Sequence, residues 1–289
     1  MKSFKPKDLT VAQLHGLLIS AVAPRPIAFA STVDTDGKPN LSPFSFFNVF
    51  SANPPILIFS PALRGRDATR KHTLDNIEAT KEVVINVVNF DIVHQMSLSS
   101  TAYAKGINEF EKAGLTMLKS DVVKPFRVAE SPVQFECKVN EIKPLGTEGG
   151  AGNLVICEIL QLHVDTEVLN KDDSINQEKL DLVSRAGGNY YNRAKEGFFE
   201  IPKPLTRLGI GVDNMPDFVK NSMILTGNDL GMLANVEVLP NKTEIEAFIA
   251  DVSERYPNIK EATHRKKHKV AQNYLSYGDV ESAWKLLLS

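Results

Sequence analysis

The feature that most constrains this chain is the density of turn signals between residues 27 and 60, where strand-like runs follow one another with almost no chain between them. Ile27–Val33 sets Ile, Phe and Val among small residues, and Asp34-Thr35-Asp36-Gly37-Lys38-Pro39 supplies a hairpin turn in which Gly37 can take positive φ. Leu41–Phe50 returns, Asn53-Pro54-Pro55 turns the chain again, and Ile56–Ser60 is wholly apolar apart from its last residue. Val83–Val88 adds a strand, and two long candidates follow, Val133–Ile142 and Leu154–Val164, joined by the flexible run Gly146-Thr147-Glu148-Gly149-Gly150-Ala151-Gly152. So many strands at short spacing with few helices between them favour an antiparallel barrel over a doubly wound sheet. The pattern predicts closure by about Val168.

Helices are expected at the periphery. Thr10 is placed to cap one running to about Ser20, Thr73 one running to about Thr80, and Asp91 a short one through Leu98. From about Phe199 the texture changes. Ile201-Pro202-Lys203-Pro204 breaks the chain, and the remainder reads as helices over Asn228–Val236, Thr243–Tyr256, Thr263–Tyr277 and Val280–Leu288, with Thr243 and Glu246 spaced as a capping box. The expected organisation is a barrel domain over residues 1–198 and a helical C-terminal extension over 199–289.

Bulk properties narrow the function. A formal net charge of −2 over 289 residues gives no global attraction to nucleic acid or to an acidic membrane surface, so any anion site must be local. No apolar run approaches the roughly 18 residues of a membrane span. Two cysteines, Cys137 and Cys157, lie far from any CxxC spacing; they read as small core residues of a cytoplasmic protein.

The densest positive cluster is Arg64-Gly65-Arg66-Asp67-Ala68-Thr69-Arg70-Lys71-His72-Thr73, which follows a buried strand and leads into a helix. Cations, a hydroxyl and free N–H groups at a helix start suit a phosphate. A solvated basic loop has the same composition, and spacing alone does not separate the two. The second suggestive stretch is Asn40-Leu41-Ser42-Pro43-Phe44-Ser45-Phe46-Phe47-Asn48, which sets hydroxyls, amides and a proline among phenylalanines instead of alternating. Pro43 breaks the strand ladder, so neighbouring N–H groups can face a ligand. A distorted edge strand that binds nothing fits the same pattern.

Several separate motifs occur in one order: Pro24-Arg25-Pro26-Ile27-Ala28, Ser31-Thr32, Asn40-Leu41-Ser42-Pro43-Phe44-Ser45, Pro54-Pro55, Lys71-His72-Thr73 and Arg185-Ala186-Gly187-Gly188-Asn189-Tyr190-Tyr191. Over roughly residues 10–195 the chain resembles the flavin reductase-like family, whose members bind FMN in a split β-barrel. The resemblance implies that Ser42, Pro43, Phe44 and Ser45 line the flavin, with Ser31, Thr32 and Asn48 close by. It implies that Lys71 and Thr73 hold the phosphate, and that Arg25 lies near the ring. Such proteins are typically homodimers, which makes Arg185 and Tyr190 candidates for the neighbouring subunit's site. The implied activity is an FMN-dependent oxidoreductase, with NADH or NADPH as possible co-substrate. The implied alternative is an FMN electron carrier, flavoredoxin-like, that docks with a redox protein. One departure favours the carrier: many short members that oxidise nicotinamides carry Gly-Asp-His entering the late strand, where this chain has Gly152-Asn153-Leu154. A third reading, a barrel that has lost its flavin, is opposed by the intact Lys71/Thr73 and Ser42–Ser45 elements.

Other signals carry less. His264 and His268 have the spacing of a metal pair, but Arg265, Lys266, Lys267 and Lys269 surround them with positive charge, and no metal is expected. The same basic run lacks the interleaved aromatics of a nucleic-acid surface. Gly209-Ile210-Gly211 lacks the third glycine of a dinucleotide fingerprint and reads as a turn.

Overall fold

The structure is a computed structural model that describes residues 1–202, 208–255 and 258–289, without the side chains of 254 and 255. The predicted break at Lys203-Pro204 and the predicted helix end at Tyr256 lie outside the described residues. Two compact units are present, Met1–Phe198 and Phe199–Ser289.

In the first unit, Thr10 opens α1 (Val11–Ala21) with a full capping box. Its hydroxyl accepts the Gln13 N–H while the Gln13 side chain accepts the Thr10 N–H. β1 (Ala28–Val33) and β2 (Pro39–Phe44) form the expected hairpin, its turn tied by Asp34 Oδ1 accepting the N–H groups of Asp36 and Lys38, with Gly37 at φ +80°. The single strand expected over Leu41–Phe50 is in fact two. β2 ends at Phe44 and β3 (Phe47–Ala52) begins after Ser45-Phe46, because the two halves pair with different neighbours. β4 (Pro55–Phe59), α2 (His72–Thr80), β5 (Glu82–Val87), α3 (Val93–Ser99) and α4 (Glu109–Ala113) follow. After the short β6 (Met117–Leu118) and β7 (Arg127–Val128) come the long hairpin β8 (Val133–Pro144) and β9 (Asn153–Val164). α5 (Gln177–Leu180) and a small hairpin, β10 (Val183–Arg185) with β11 (Tyr191–Arg193), close the unit. Sequence periodicity misses that hairpin and α4 because each has too few residues to show a period.

The main sheet is antiparallel, in the order β2-β1-β5-β8-β9-β4-β3. Its two edges, β2 and β3, are joined by Ser45 and Phe46 alone. Laid flat, six inter-strand steps would hold those edges about 29 Å apart, whereas three Cα steps span at most about 11 Å. The sheet must therefore curl until its edges meet at this seam. Bulges in β8 between Glu136 and Cys137 and between Val139 and Glu141 supply local bending. Alternation along β1 serves two layers. Ala28 and Ala30 join Phe59, Ile85, Val139 and Val155 inside the curl, and Ile77 of α2 packs into the same cluster. Phe29 points the other way, to Met96 and Phe110 near α3 and α4. Cys137 and Cys157 are fully buried in the inner cluster, where burial pushes both thiols up and keeps them protonated.

The second unit has its own core. α6 (Asp217–Lys220), α7 (Gly227–Ala234), α8 (Lys242–Arg255), α9 (His264–Ser276) and α10 (Val280–Leu287) gather around Trp284, whose indole N–H donates to the Leu233 carbonyl at 2.9 Å. Thr226, Thr263 and Asp279 cap α7, α9 and α10. The box expected from Thr243 and Glu246 is formed instead by Asn241 and Glu244, two residues earlier. His268 is buried, with Nδ1 2.7 Å from the Ser222 hydroxyl.

Glu136 organises the outer face of β8. Its buried carboxylate accepts the backbone N–H groups of Asp121, Val122 and Val123 at 2.7–3.1 Å and pairs with His163 Nε2 at 2.7 Å. With Asp121 and His163 it has the spacing of metal ligands, but its oxygens are already engaged and Arg127 stands 3.7 Å away. Burial alone would push this carboxyl up. The backbone donors and His163 outweigh it, so the group titrates below its usual 4.5. Glu136→Ala is expected to cost about 2–4 kcal/mol in urea unfolding, because it strands several buried donors at once. Since the folded value is depressed, the stabilisation is complete above about pH 4.5 and is lost as pH falls through the lower folded value. The variant's stability is therefore expected to change less than the parent's on acidification.

Candidate functional site

The seam that joins the sheet edges is also a cavity of about 470 Å³, lined by Pro43 and Phe44 at the end of β2, by Ser45 and Phe46 of the link, and by His15, Arg25, Lys71 and Arg185 around it. β2 is an edge strand, so Pro43 removes a ladder donor where no outer partner needs one. Phe44 turns inward to pack on Phe59, with ring centroids 5.4 Å apart, and Phe46 faces His15 of α1 at 6.2 Å. Ser60, whose N–H donates to the Phe46 carbonyl at 2.8 Å, holds the far side of the link.

Arg25 builds the wall. Its guanidinium is buried and donates to the Ile19 carbonyl at 2.6 Å, to the Val22 carbonyl at 2.5 Å and to the Ala186 carbonyl at 3.3 Å, with Ser45 Oγ at 3.4 Å. A cation on the last carbonyls of α1 satisfies orphan acceptors and opposes the negative end of the helix dipole. Burial, and then the Arg185 charge, pull the Arg25 group below its ordinary value. Backbone bonds between Arg25 and Arg185, 2.9 and 2.8 Å in the two directions, bring the β10–β11 hairpin to the same wall. The glycine pair is then explained. A side chain at Gly187 would collide with Ser20, its Cβ falling 2.4 Å from the hydroxyl, and Gly188 takes φ +56° in the turn.

The basic loop sorts into used and unused cations. Arg70 is neutralised by Asp75 at 2.7 Å and Glu78 at 2.6 Å, and Arg66 pairs with Asp67 at 3.0 Å. Arg64 donates to Thr69 Oγ1 and the Arg70 carbonyl, with no carboxylate partner among the described residues. Lys71 is half-buried, and its ammonium has neither ion-pair nor hydrogen-bond partner among the described residues. Burial, and then the neighbouring Arg64 charge, lower its ammonium below the usual 10.5. Lys71 also lines a second, water-sized polar pocket of about 20 Å³ with Ser42, Arg64, Thr73, Tyr103 and Glu109. The ring-lined cavity and the polar pocket thus share one unpaired cation.

Thr73 does not cap α2 as predicted. The N-cap position is Lys71, without a side-chain bond, and the Thr73 hydroxyl donates to Asn40 Oδ1 at 2.9 Å. Asn40 in turn donates to Glu109, whose other oxygen accepts the Leu41 N–H. Of the twelve residues singled out from sequence, Arg25, Pro43, Phe44, Ser45, Lys71 and Arg185 line the cavity, and Ser42, Lys71 and Thr73 the polar pocket. Ser31 and Thr32 are wholly buried in β1; Thr32 accepts from Asn76, and Ser31 Oγ has no partner among the described residues. Asn48 is exposed and accepts its neighbour's N–H, and Tyr190 stands exposed at the hairpin tip. Sequence reasoning missed His15 and Ile19, whose i,i+4 spacing on one helix face was the available signal, and the loop from Ser99 to Tyr103, which has no periodic signature. At the departure noted above, Asn153 is buried with its amide on the Pro61 carbonyl at 3.0 Å, and a side chain at Gly152 would meet Ser60 Oγ at 2.7 Å.

The family model described as "Flavin reductase like domain" matches residues 20–193. An uncharacterised protein of Halalkalibacterium halodurans is 38% identical over 195 residues, 67% of this chain and 92% of that one. Nitrilotriacetate monooxygenase component B from Bacillus cereus is similar in structure, with a TM-score of 0.65 and 29% identity, covering 69% of this chain and 98% of its own. A protein of Shewanella frigidimarina, described as a candidate flavin reductase with a split barrel domain, aligns with a TM-score of 0.59 and 27% identity over 71% of this chain and all of its own. The family match ends before the helical unit begins at Phe199.

Arg25 gives a direct check on this geometry. Arg25→Ala strands carbonyls at the end of α1 and at Ala186, and is expected to cost about 2–4 kcal/mol in denaturant unfolding. Amide exchange should quicken selectively across residues 11–22 and in the 185–190 turn, while β8 and β9 stay protected.

Proposed function

The chain belongs to the flavin reductase-like domain family, and from that premise we propose that it is an oxidoreductase working through a non-covalently held FMN, with NADH or NADPH as its reductant. The carrying observation is Lys71, the unpaired cation at the junction of a ring-lined cavity and a water-sized polar pocket. The seam cavity offers Pro43, Phe44 and Phe46 to the flat ring, and Ser45 to its polar edge. Lys71, Arg64 and the first N–H groups of α2 suit a terminal phosphate. The polar pocket beside Lys71 is small, which supports a ligand that ends at a monophosphate over one that continues into a second nucleotide.

A bound flavin supplies the hydride chemistry itself, and the protein supplies placement and electrostatics. Arg25 and Arg185 favour negative charge developing on the ring, and Arg25 also fixes the wall against which the ring lies. Phe46, Val49 and Phe50 leave large apolar side chains exposed on and beside edge strand β3, which supports a homodimer. In that assembly Tyr190, 77% exposed, is available to the second copy's site. Two buried free thiols suit a reducing cytoplasm, and no helix among the described residues is long and apolar enough to cross a membrane.

One observation favours a second reading, an electron carrier that receives its electrons from a redox protein. Asn153 occupies the position after Gly152 and is turned to the Pro61 carbonyl, while His163 is tied to Glu136. Visible spectra recorded without air separate the two. Rapid bleaching by NADH or NADPH establishes the reductase; a flavin spectrum that neither nicotinamide bleaches establishes the carrier.

Lys71→Ala is expected to weaken FMN binding by about 1–3 kcal/mol, while riboflavin, which lacks the phosphate, binds as before. Equal loss for both ligands would place the phosphate elsewhere. Because the Lys71 ammonium titrates below 10.5 in the free protein, FMN affinity should fall as pH rises through that lowered value. The variant should lack this alkaline limb.

A further inference from the structure

A second cavity of about 440 Å³ lies between α3 and the β10–β11 hairpin, and Arg185 lines both it and the seam cavity. Two guanidinium groups are held against aromatic rings there, Arg185 4.5 Å from the centre of Tyr191 and Arg193 3.8 Å from the centre of Phe90. Their charges differ in availability. Arg193 is engaged by Asp181 at 2.6–3.1 Å and by Glu196. The Arg185 guanidinium donates to the Tyr190 carbonyl at 3.0 Å and has no carboxylate partner among the described residues. No carboxylate among the described residues lines the cavity; its polar edge includes the amides of Asn189 and Asn192.

We propose that this cavity binds the adenosine half of a nicotinamide dinucleotide, with the diphosphate at Arg185 and the nicotinamide end in the seam cavity. The proposal rests on the reading that such a dinucleotide is the reductant. A dinucleotide carries its charge in the middle and a flat ring at each end. The structure offers the matching order, an available guanidinium between two ring-lined cavities. A guanidinium accepts a diphosphate through paired N–H groups. Purines stack on aromatic rings and on guanidinium planes, and an asparagine amide can donate to and accept from the adenine edge. A volume of about 440 Å³ is in the range that takes a nucleoside-sized ligand.

The test uses AMP as the probe, titrated calorimetrically into the full-length protein with and without FMN. Ser97 is exposed on α3 and lines this cavity but not the seam cavity, so Ser97→Phe fills the space while Arg185 is retained. Asn192→Leu removes the amide edge and serves as a second variant. AMP should bind the parent, and each variant should weaken it roughly tenfold, with NADH binding weakened in parallel and FMN affinity unchanged. Absence of AMP binding, or AMP binding that neither variant alters, overturns the proposal. AMP weakened with NADH unaffected also overturns it, because the cavity then takes a free nucleotide and no spanning ligand. If the protein fails to bind FMN, the flavin reading falls by that measurement, while the AMP arm still reports on the cavity.

Discussion

The two residues between Phe44 and Phe47 are the constraint on which the first unit depends. They join strands at opposite edges of a seven-stranded sheet, so the sheet has no flat solution. Curling it brings together residues that the chain otherwise keeps apart: the end of α1, the loop before α2 and the β10–β11 turn. The link itself cannot be ordinary strand, since its backbone leaves one ladder and enters another within two residues. Ser45 and Phe46 are therefore where topology requires irregular backbone, and the cavity forms there for the same reason. Fold closure and ligand space are one feature.

That also shows which parts were legible in the sequence. Turn chemistry marked the β1–β2 hairpin and the Asn53-Pro54-Pro55 turn, and strand-like runs between turn signals marked β5, β8 and β9. The non-alternating run from Asn40 to Asn48 signalled something other than core packing, but reading it as one strand hid the seam. Nothing local says that β2 and β3 end at opposite edges of one sheet; that is set by pairings between distant strands, such as Leu57 with Cys157. The same limit explains Ser31 and Thr32. Their hydroxyls suggest a polar site, yet β1 is buried on both faces, and its neighbours alone decide that Thr32 meets Asn76.

The basic loop was legible only as a composition. Which of its cations is available depends on carboxylates a turn or two along α2, since Asp75 and Glu78 both fall within reach of Arg70. Lys71 lies on the other side of the helix start and escapes them. Partial burial of an unpaired ammonium carries a desolvation cost with no internal compensation, visible as its lowered titration. An anion would supply that compensation. For this reason Lys71, and not the larger charge of the whole loop, is the informative residue.

A chain of net charge −2 has thus produced a seam cavity whose charged lining residues are all basic. Several acidic side chains of this unit are engaged elsewhere, most of them in structural work on backbone or on other cations. Glu136 holds the 121–123 loop, Glu109 holds Asn40 and the Leu41 N–H, and Asp181 neutralises Arg193 and Lys195. Each carboxylate is saturated by donors fixed in the fold, so it cannot swing to quench Arg25, Lys71 or Arg185. Positive potential at the seam follows from how the acids are tied down, not from any excess of bases. Global charge carries little information about such a site, because what an incoming anion meets is set by which charges the fold has already paired.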